Sequence, residues 1–349
     1  MSGYIARNIA ALAAYAPGEQ PPDRGVVKLN TNESPYPPSP RVAAALAAFD
    51  PARLRLYPEP RNLALRRRLA EIHGCTTEKV FVGNGADEIL ALATRAFVEN
   101  DGSIGYFAPS YSLYPVLADI RGAAKRPVDL GPDFAWRLPP ETRASLFLLT
   151  CPNAPTGLQY DRATVTAFCR GFDGVVALDE AYVDFAADNF MDLALAPGNA
   201  NTLVLRTFSK SFSLAGLRFG YAVGPAPLVG ALQKIKDSYN LDLLAQTVAL
   251  AALDDLAYMR ENVRRIRATR ARLSDALRAR DYTVLPSETN FVFARPPDGD
   301  ARRVFDRLRA RQVFVRHFPG PRTGEYLRIT VGTDAQIDAL LAALKGSLP

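Results

Sequence analysis

The stretch TLVLRTFSKSFSLAGLRFGY, residues 202–221, joins an apolar run to a lysine that stands apart from other charges. The run TLVLRTF is typical of a parallel strand that is buried on both faces. Lys210 follows it and is the only charged residue between Arg206 and Arg218. Ligands of open parallel sheets bind beyond the carboxyl ends of the strands. The stretch therefore predicts a parallel sheet that presents Lys210, a candidate nucleophilic amine, to a binding site.

Other apolar runs extend this prediction along the chain, with amphipathic stretches between them. The runs before residue 202 are KVFVG, SIGYF, SLFLLT and GVVALDEAY. Helices between such runs indicate right-handed crossovers, which predicts a large α/β domain over residues 39–250. An arginine-rich helix and shorter runs follow, which predicts a smaller α+β domain over residues 251–349. Its last helix opens with TDAQ, residues 333–336, a capping-box pattern. Residues 1–38 are predicted to form an arm that packs with the small domain.

Composition narrows the class of protein. The chain has 349 residues, 48% of them hydrophobic, which suffices for two cores. It contains no apolar run of the roughly 18 residues that a membrane span needs. Its N-terminal stretch has no clear cleavage site, so we expect a cytoplasmic protein with no membrane contact.

The cysteine, histidine and charge patterns favour neither a metal site nor nucleic-acid binding. The chain has three cysteines and two histidines, without the spacing of a disulfide framework or a zinc site. The net charge is +6, but arginines recur every three or four residues in one predicted helix. This is typical of a solvated helix face, and no recognition motif accompanies it. We expect neither a metal nor a nucleic-acid partner.

Two further turns follow predicted strands and carry ligand-binding residue types. In NGADE, Gly83 and Gly85 permit a tight turn, and the N–H groups near Gly85, Ala86 and Asp87 then form an anion site at a helix start. An ordinary strand-to-helix turn is the alternative. In APSYSLYP, Tyr111 either stacks on a flat ligand or packs in the core.

Two acidic and hydroxyl-bearing segments complete the pattern. Asp179 in DEAYVDF follows a buried strand, where a carboxylate is costly unless it meets a cation or good donors. A structural salt bridge is the alternative. Thr207, Ser209 and Arg218 suit a phosphate. With a nucleophilic lysine, this set fits a carbonyl ligand that bears a phosphate and a ring nitrogen, and pyridoxal phosphate has all three features.

The chain resembles the fold-type-I pyridoxal-phosphate enzymes, specifically the class I/II aminotransferases, over nearly its whole length. Within this family, it resembles the group that acts on histidinol phosphate. The resemblance is carried by LNTNESPYPPSP (29–40), LYPEP (56–60), GNGADE (83–88), PSYSLY (109–114), PNAPTG (152–157), DEAYVDF (179–185), RTFSKSFSLAGLRFGY (206–221), YNLDLLAQ (239–246), TNFVF (289–293) and YLRITVGT (326–333). It implies a mostly parallel seven-stranded sheet sandwiched by helices, plus a smaller α+β domain.

The resemblance also implies roles at the cofactor. Lys210 would bond to pyridoxal phosphate and act as the general base. Asp179 would pair with the ring nitrogen, and Tyr182 would donate to the ring's phenolic oxygen. Tyr111 would stack on the ring. The groups around the cofactor phosphate would be Gly85, Ala86, Asp87, Thr207, Ser209 and Arg218.

Further residues would serve the substrate and a partner subunit. Arg328 would hold a substrate α-carboxylate, including that of glutamate. Tyr15, Asn32 and Arg316 would line the pocket for the substrate side chain or phosphate. Tyr57 would reach the cofactor phosphate of the other subunit in a homodimer.

The chain departs from the family pattern at one cofactor contact. The family usually has PNNPTG, whereas this chain has PNAPTG, with Ala154 in place of an asparagine that donates to the phenolic oxygen. Three compensations are open: Asn153 donates instead, a water does, or Tyr182 acts without that help.

The expected reaction converts L-histidinol phosphate and 2-oxoglutarate to imidazole acetol phosphate and L-glutamate, a step of histidine biosynthesis. An aromatic amino-acid aminotransferase and a threonine-phosphate decarboxylase of cobamide synthesis are the alternatives within the family. A non-enzymatic pyridoxal-phosphate-binding module is a further alternative, which the lysine, aspartate and tyrosine set disfavours.

Overall fold

The computed structural model of the chain describes residues 3–21, 25–136 and 142–345. Within these ranges the strands are β1 (Val27–Lys28), β2 (Val80–Gly83), β3 (Ser103–Ala108), β4 (Ala124–Asp129), β5 (Leu146–Thr150), β6 (Val175–Asp179), β7 (Thr202–Thr207), β8 (Gly220–Val223), β9 (Thr283–Val284), β10 (Phe291–Arg295), β11 (Val313–Phe314), β12 (Arg316–His317) and β13 (Leu327–Thr330). The α-helices are α1 (Arg7–Ala10), α2 (Pro40–Ala47), α3 (Leu63–His73), α4 (Gly85–Phe97), α5 (Leu113–Arg121), α6 (Arg162–Gly171), α7 (Met191–Leu195), α8 (Ala226–Ile235), α9 (Leu243–Leu253), α10 (Leu256–Arg278), α11 (Ala301–Ala310) and α12 (Asp334–Leu344).

The largest sheet has seven of the described strands, in the order β2-β8-β7-β6-β5-β3-β4. The pairs β3–β4, β3–β5, β5–β6 and β6–β7 are parallel, whereas β8 runs antiparallel to both of its neighbours. The predicted mostly parallel seven-stranded sheet is therefore confirmed. The five apolar runs of the sequence correspond to β2, β3, β5, β6 and β7.

Helices cover both faces of this sheet because successive strand residues point to opposite sides. Along β5, Leu146 and Leu148 pack in the layer that contains α4, α5 and α8. Phe147 and Leu149 of the same strand pack in the layer that contains α3, α6, α7 and α9. All four side chains are fully buried, which explains why this strand is apolar at every position rather than at alternate positions.

A second sheet forms from the C-terminal part of the chain, with strand order β12-β13-β10-β9 and antiparallel pairing. Helix α12 begins at the capping box predicted from TDAQ, in which Thr333 accepts from the N–H of Gln336 and the Gln336 side chain accepts from the N–H of Thr333. This prediction is confirmed. The helix packs Ile337 and Leu340 against the same core as Leu327 and Ile329 of β13.

The N-terminal segment touches both parts of the chain. Strand β1 pairs in parallel with β11 of the C-terminal part. Near α1, the Asn8 side chain donates to the carbonyls of Asp119 and Ile120, at the end of α5. The division into an arm (1–38), a large domain (39–250) and a small domain (251–349) stays a prediction. No helix in the described ranges combines the length and apolar character that a membrane crossing requires.

Candidate active site

A cavity of about 500 Å³ opens where β3, β5, β6 and β7 end and α4 begins. The C-terminal sheet and the N-terminal segment close it from the other side. The predicted site residues that line it are Tyr15, Asn32, Ala86, Asp87, Tyr111, Asp179, Tyr182, Thr207, Ser209, Lys210, Arg218, Arg316 and Arg328. Residues separated by up to 313 positions in sequence are thus brought to one site by the large sheet, the second sheet and the N-terminal segment together.

Asp179 is the last residue of β6 and lies at the bottom of the cavity, only 3% exposed. Its Oδ2 accepts from the Tyr114 hydroxyl at 2.9 Å, and its Oδ1 accepts from the N–H of Ala181 at 3.1 Å. Burial raises the pKa of this carboxyl to about 6, although both hydrogen bonds favour the ionised form. The site therefore offers a carboxylate whose ionisation is favoured by a cation placed beside it.

The alternative of a structural salt bridge applies to the next residue rather than to Asp179. The Glu180 carboxylate lies 2.7 Å from Arg206 Nη2 and also accepts from the N–H of Phe190. In the part of the chain that the structure describes, Asp179 has no cation within ion-pair distance. Its charge remains available to a ligand.

Lys210 extends into the same cavity from the turn after β7. Its Nζ lies 3.4 Å from the carbonyl oxygen of Thr31 and 5.6 Å from the centroid of the Tyr182 ring. Ser211, the next residue, donates to the carboxylate of Asp184 and fixes the turn to the segment that carries Tyr182. The amine is thus held beside Asp179 and Tyr182 without a carboxylate partner of its own among the described residues.

A cluster of donors forms the end of the cavity at the start of α4. Arg218 donates from Nη1 to Ser209 Oγ at 3.2 Å and from Nη2 to Asp87 Oδ2 at 3.2 Å, while the Thr207 hydroxyl donates to Ser209. The side chain of Asn84 does not cap α4, so the first N–H groups of the helix face the cavity without a side-chain acceptor. This combination of helix start, hydroxyls and guanidinium suits a phosphate.

Gly85 does not line the cavity, but it is required for the shape of this end. Its φ is 79°, and a Cβ built on it would lie 2.7 Å from Arg218 Nη2. A larger residue at this position would displace the guanidinium. The prediction that glycine is needed here for a tight turn agrees with this geometry.

Two arginines face the opposite end of the cavity from neighbouring strands. Arg316 of β12 and Arg328 of β13 are directly paired across the sheet. The Nε of Arg328 is buried and has no hydrogen-bond partner among the described residues, and burial lowers the pKa of its guanidinium, with a contribution from Arg316. Like charges directly opposite each other repel. This end of the cavity is therefore suited to an anion.

The N-terminal segment closes that end. Arg316 donates to the carbonyls of Ala16 and Pro17, and the Tyr15 ring meets the Tyr111 ring edge to face at 6.0 Å. Burial raises the pKa of the Tyr111 hydroxyl, and the carboxylate of Asp87 adds to this. Tyr111 thus belongs to the cavity wall rather than to the apolar core, and of its two sequence interpretations the geometry favours the one in which it faces a ligand.

The structure answers one open question about Ala154. The Asn153 side chain is fully buried, and its Nδ2 donates to the carbonyl of Pro109 and to Thr156. Neither Asn153 nor Thr156 lines the cavity, whereas Ala154 does. The hypothesis that Asn153 compensates for Ala154 is therefore wrong, because its amide nitrogen already donates to Thr156 and to the carbonyl of Pro109.

Tyr57 lies outside the cavity of its own chain. It is 80% exposed and stacks on Tyr239 with ring centroids 4.3 Å apart. A residue in this position cannot contact a ligand of the same chain's cavity, so its predicted contact requires a second subunit.

Two site residues were not predicted from the sequence. Tyr114 has no role in the sequence analysis, yet its hydroxyl donates to Asp179 and lies 2.5 Å from Thr150 Oγ1. The hydroxyl of Thr330 in β13 makes two hydrogen bonds with Asn32. It accepts from the backbone N–H of Asn32 and donates to the Asn32 side-chain oxygen. For Tyr114 the sequence offered one signal, its position three residues after Tyr111 in the turn that follows β3. For Thr330 the sequence offered no signal.

Comparison with known proteins identifies the family. Residues 24–344 match the family described as "Aminotransferase class I and II". The chain belongs to this family. It is 45% identical over 343 residues to the histidinol-phosphate aminotransferase of Geobacter sulfurreducens, with 97% of each chain covered. It is also 45% identical over 353 residues to histidinol-phosphate aminotransferase 2 of Thiobacillus denitrificans, with 99% of this chain and 98% of that protein covered.

Solved structures of class I and II aminotransferases share the fold. A histidinol-phosphate aminotransferase from Sinorhizobium meliloti, solved with pyridoxal-5'-phosphate, superimposes with a TM-score of 0.87 at 26% identity, covering 98% of this chain and 96% of that one. The predicted family and fold are thereby confirmed.

Proposed function

We propose that this aminotransferase uses pyridoxal phosphate to convert L-histidinol phosphate and 2-oxoglutarate to imidazole acetol phosphate and L-glutamate. The observation that carries the proposal is the convergence of Lys210, Asp179 and Arg218 on one cavity whose far end holds Arg316 and Arg328. The relatives named histidinol-phosphate aminotransferase support the substrate assignment.

The residues present fit the proposed cofactor. Arg218, Ser209, Thr207 and the first N–H groups of α4 provide a site for its phosphate. Asp179, whose pKa is raised by burial in the absence of a cation, suits a protonated ring nitrogen. Gly85 leaves room for the guanidinium at the phosphate end. Tyr111 is placed on the cavity wall, where its ring can stack on a flat ligand.

The chemistry divides between the cofactor and these residues. When bound, pyridoxal phosphate supplies an aldehyde carbon for the amino group and a ring that withdraws electrons. Lys210 Nζ takes the proton from the substrate Cα and returns it later in the cycle. With the cofactor bound, Asp179 would accept a hydrogen bond from the ring N–H and keep that proton in place, and the Tyr182 hydroxyl would donate a hydrogen bond to the ring oxygen. The rings of Tyr15 and Tyr111, which meet edge to face, form one wall of the site.

The two arginines bind the anionic groups of the substrates. In this proposal Arg328 binds the α-carboxylate of glutamate and 2-oxoglutarate, because its Nε is buried without a partner. Arg316, with Tyr15, binds the phosphate of histidinol phosphate. An anion between them also relieves the repulsion of two guanidiniums that are paired across β12 and β13.

Steady-state rates with different donors test the substrate. With 2-oxoglutarate as acceptor, we expect kcat/KM for histidinol phosphate to exceed that for phenylalanine by at least about tenfold, since only the former offers a phosphate to Arg316. Arg316→Gln should narrow this ratio, because it lowers the rate with histidinol phosphate selectively. A higher kcat/KM for phenylalanine than for histidinol phosphate would identify the protein as an aromatic amino-acid aminotransferase. Release of carbon dioxide from threonine phosphate would identify it as a decarboxylase. Cofactor absorbance that no amino donor bleaches would assign a binding module.

We further propose a homodimer in which Tyr57 completes the partner's site. Apolar side chains close to Tyr57 in sequence are exposed too, including Leu46, Leu54 and Leu56, each about half exposed. Exposed apolar side chains of this size favour a surface that another chain covers. Tyr57 itself is 80% exposed.

Hybrid dimers test this arrangement. A mixture of Tyr57→Ala and Lys210→Ala chains, unfolded and refolded together, should recover about a quarter of the wild-type activity, because random pairing gives hybrids with one intact site. Each variant refolded alone is the control. If the mixture is no more active than the two controls averaged, Tyr57 does not act across a subunit boundary.

A further inference from the structure

Asn32 connects three segments of the chain and is only 1% exposed. Its backbone N–H donates to Thr330 Oγ1 at 3.0 Å, and its carbonyl accepts from Asn290 Nδ2 at 2.9 Å. Its side-chain Oδ1 accepts from the Thr330 hydroxyl at 3.0 Å, and its Nδ2 lies 2.9 Å from the Tyr182 hydroxyl. Its φ of 57° places it in the left-handed region that asparagine tolerates. Asn32 is thus fixed on all sides at the wall of the cavity.

These contacts assign the orientation of the Asn32 amide. Thr330 is 3% exposed, and its Oγ1 already accepts from the N–H of Asn32. Its own proton therefore needs an acceptor, since a buried hydroxyl proton without one is costly. The side-chain atom 3.0 Å away must be the oxygen of Asn32. The atom that faces Tyr182 is then the nitrogen.

The amide orientation fixes the direction of the Tyr182 hydroxyl. A nitrogen of an amide group can only donate, so the Tyr182 oxygen accepts at this contact and its proton must point elsewhere. Among residues 3–21, 25–136 and 142–345, Asn32 is the one recorded hydrogen-bond partner of that hydroxyl. The Tyr182 ring is held edge to face against Phe291 at 5.1 Å and borders the cavity. The free direction for the proton is into the cavity.

We propose that Asn32 is a positioning residue that directs the hydroxyl proton of Tyr182 toward the ring oxygen of the bound cofactor. The inference rests on the proposed function. It adds a role to the predicted one, in which Asn32 contacts substrate, because one amide hydrogen is committed to Tyr182. An oxygen that accepts one hydrogen bond also becomes a stronger donor in the next. Ala154, on the same cavity, has no side-chain donor, so the direction of the Tyr182 proton matters more here than in a site with the usual asparagine.

Asn32→Asp tests the direction of the proton without changing the size of the side chain. Its carboxylate accepts at both oxygens, so it draws the Tyr182 proton away from the cavity. The measurement is a pH titration of the absorbance of the cofactor in the purified holoenzyme. Its midpoint is the pH at which half of the absorbance change has occurred. A donor to the ring oxygen favours the deprotonated cofactor, so we expect the midpoint to rise by roughly one pH unit in Asn32→Asp. The same substitution in a Tyr182→Phe background should shift that background's midpoint by clearly less, because only the added charge acts and there is no proton to redirect.

Thr330 provides a matched pair of variants. Thr330→Ser keeps the hydroxyl that fixes the amide and should keep the wild-type midpoint. Thr330→Val removes it, frees the Asn32 amide to turn over, and should raise the midpoint part of the way toward that of Asn32→Asp. Circular dichroism of each holoenzyme checks that it is folded.

Two results would overturn the role of Asn32. One is an unchanged midpoint in folded Asn32→Asp. The other is a shift of equal size in the Tyr182→Phe background, which would assign the effect to the added charge alone. Failure of the proposed function would look different, because wild-type protein would then show no absorbance that histidinol phosphate bleaches.

Discussion

Lys210→Ala is expected to abolish turnover, with a loss of at least about 10⁴-fold in kcat, the upper range for loss of a positioned acid–base group. Lys210 is the single lysine among the described residues that line the cavity. No neighbouring amine can take over the proton transfer at the substrate Cα. The variant should also lose the absorbance of cofactor bonded to the lysine. Single-turnover kinetics with histidinol phosphate and an absorbance spectrum of the purified protein measure the two effects.

Two control variants separate the amine from its charge. Lys210→Arg keeps a cation at the position but provides no amine that can bond to an aldehyde, so it should be as inactive as Lys210→Ala. Lys234→Ala removes an exposed lysine of α8 and should retain wild-type activity. Substantial activity in Lys210→Arg would mean that charge, not the nucleophilic amine, is what the site requires.

The sequence predicted the inner strands of the large sheet because they are buried on both faces. β5 and β6 consist almost wholly of buried residues and appear as uninterrupted apolar runs. The edge strand β4 did not appear, because its sequence AKRPVD is polar and almost wholly exposed. Strand β4 pairs on one side only, tolerates Pro127 and is solvent-exposed, so hydrophobicity carries no signal for it. The other edge strand, β2, is fully buried and was therefore predicted from its apolar run. Strand β8 was missed because its four residues directly follow the glycine-containing loop after Lys210.

The sequence likewise located some residues of the candidate site but not the contacts between them. Residues at strand ends, such as Asp179 and Lys210, could be located from the sequence because a parallel sheet collects those ends at one edge. Contacts between side chains distant in sequence could not. Asn153 was one candidate to replace the donor missing at Ala154, but its amide donates to Thr156 and to the carbonyl of Pro109, 44 residues earlier. The partner of Asp179 is Tyr114, which depends on how α5 packs on the large sheet. The partner of Asn32 is Thr330, which depends on how the N-terminal segment meets β13 of the second sheet.

Asp179→Asn is expected to lower kcat by about 10²- to 10³-fold while making the cofactor-free protein more stable above pH 6. Loss of one partner of a buried charge pair is worth roughly 3–5 kcal/mol, which gives the first effect. The second follows from burial. The pKa of Asp179 is raised from an ordinary 3.8 to about 6, so the folded protein binds this proton more tightly than the unfolded chain does.

The sign of the pH dependence follows from that difference. Between about pH 4 and pH 6 the folded protein retains a proton that the unfolded chain has lost, so the free energy of unfolding falls as pH rises through this window. The loss approaches 3 kcal/mol above pH 6 for a shift of this size. An asparagine does not ionise, so its variant should lack this part of the decline. Since Tyr114 and Ala181 both donate to the carboxylate, an amide forfeits one of these bonds and the net gain is about 1–3 kcal/mol.

Urea unfolding of the cofactor-free protein at several pH values measures how the free energy of unfolding depends on pH. Burial also raises the pKa of the neighbouring Glu180. The difference between wild type and Asp179→Asn therefore isolates the contribution of Asp179. Asp173→Asn, an exposed aspartate before the same strand, is the control and should follow the wild-type profile. Parallel profiles for wild type and Asp179→Asn would show that the buried carboxyl is not destabilising. If replacing a residue raises stability but lowers activity, its charge serves the ligand and not the fold. The opposite signs of the two effects therefore distinguish a cofactor partner from a structural carboxylate, which would lose both stability and activity.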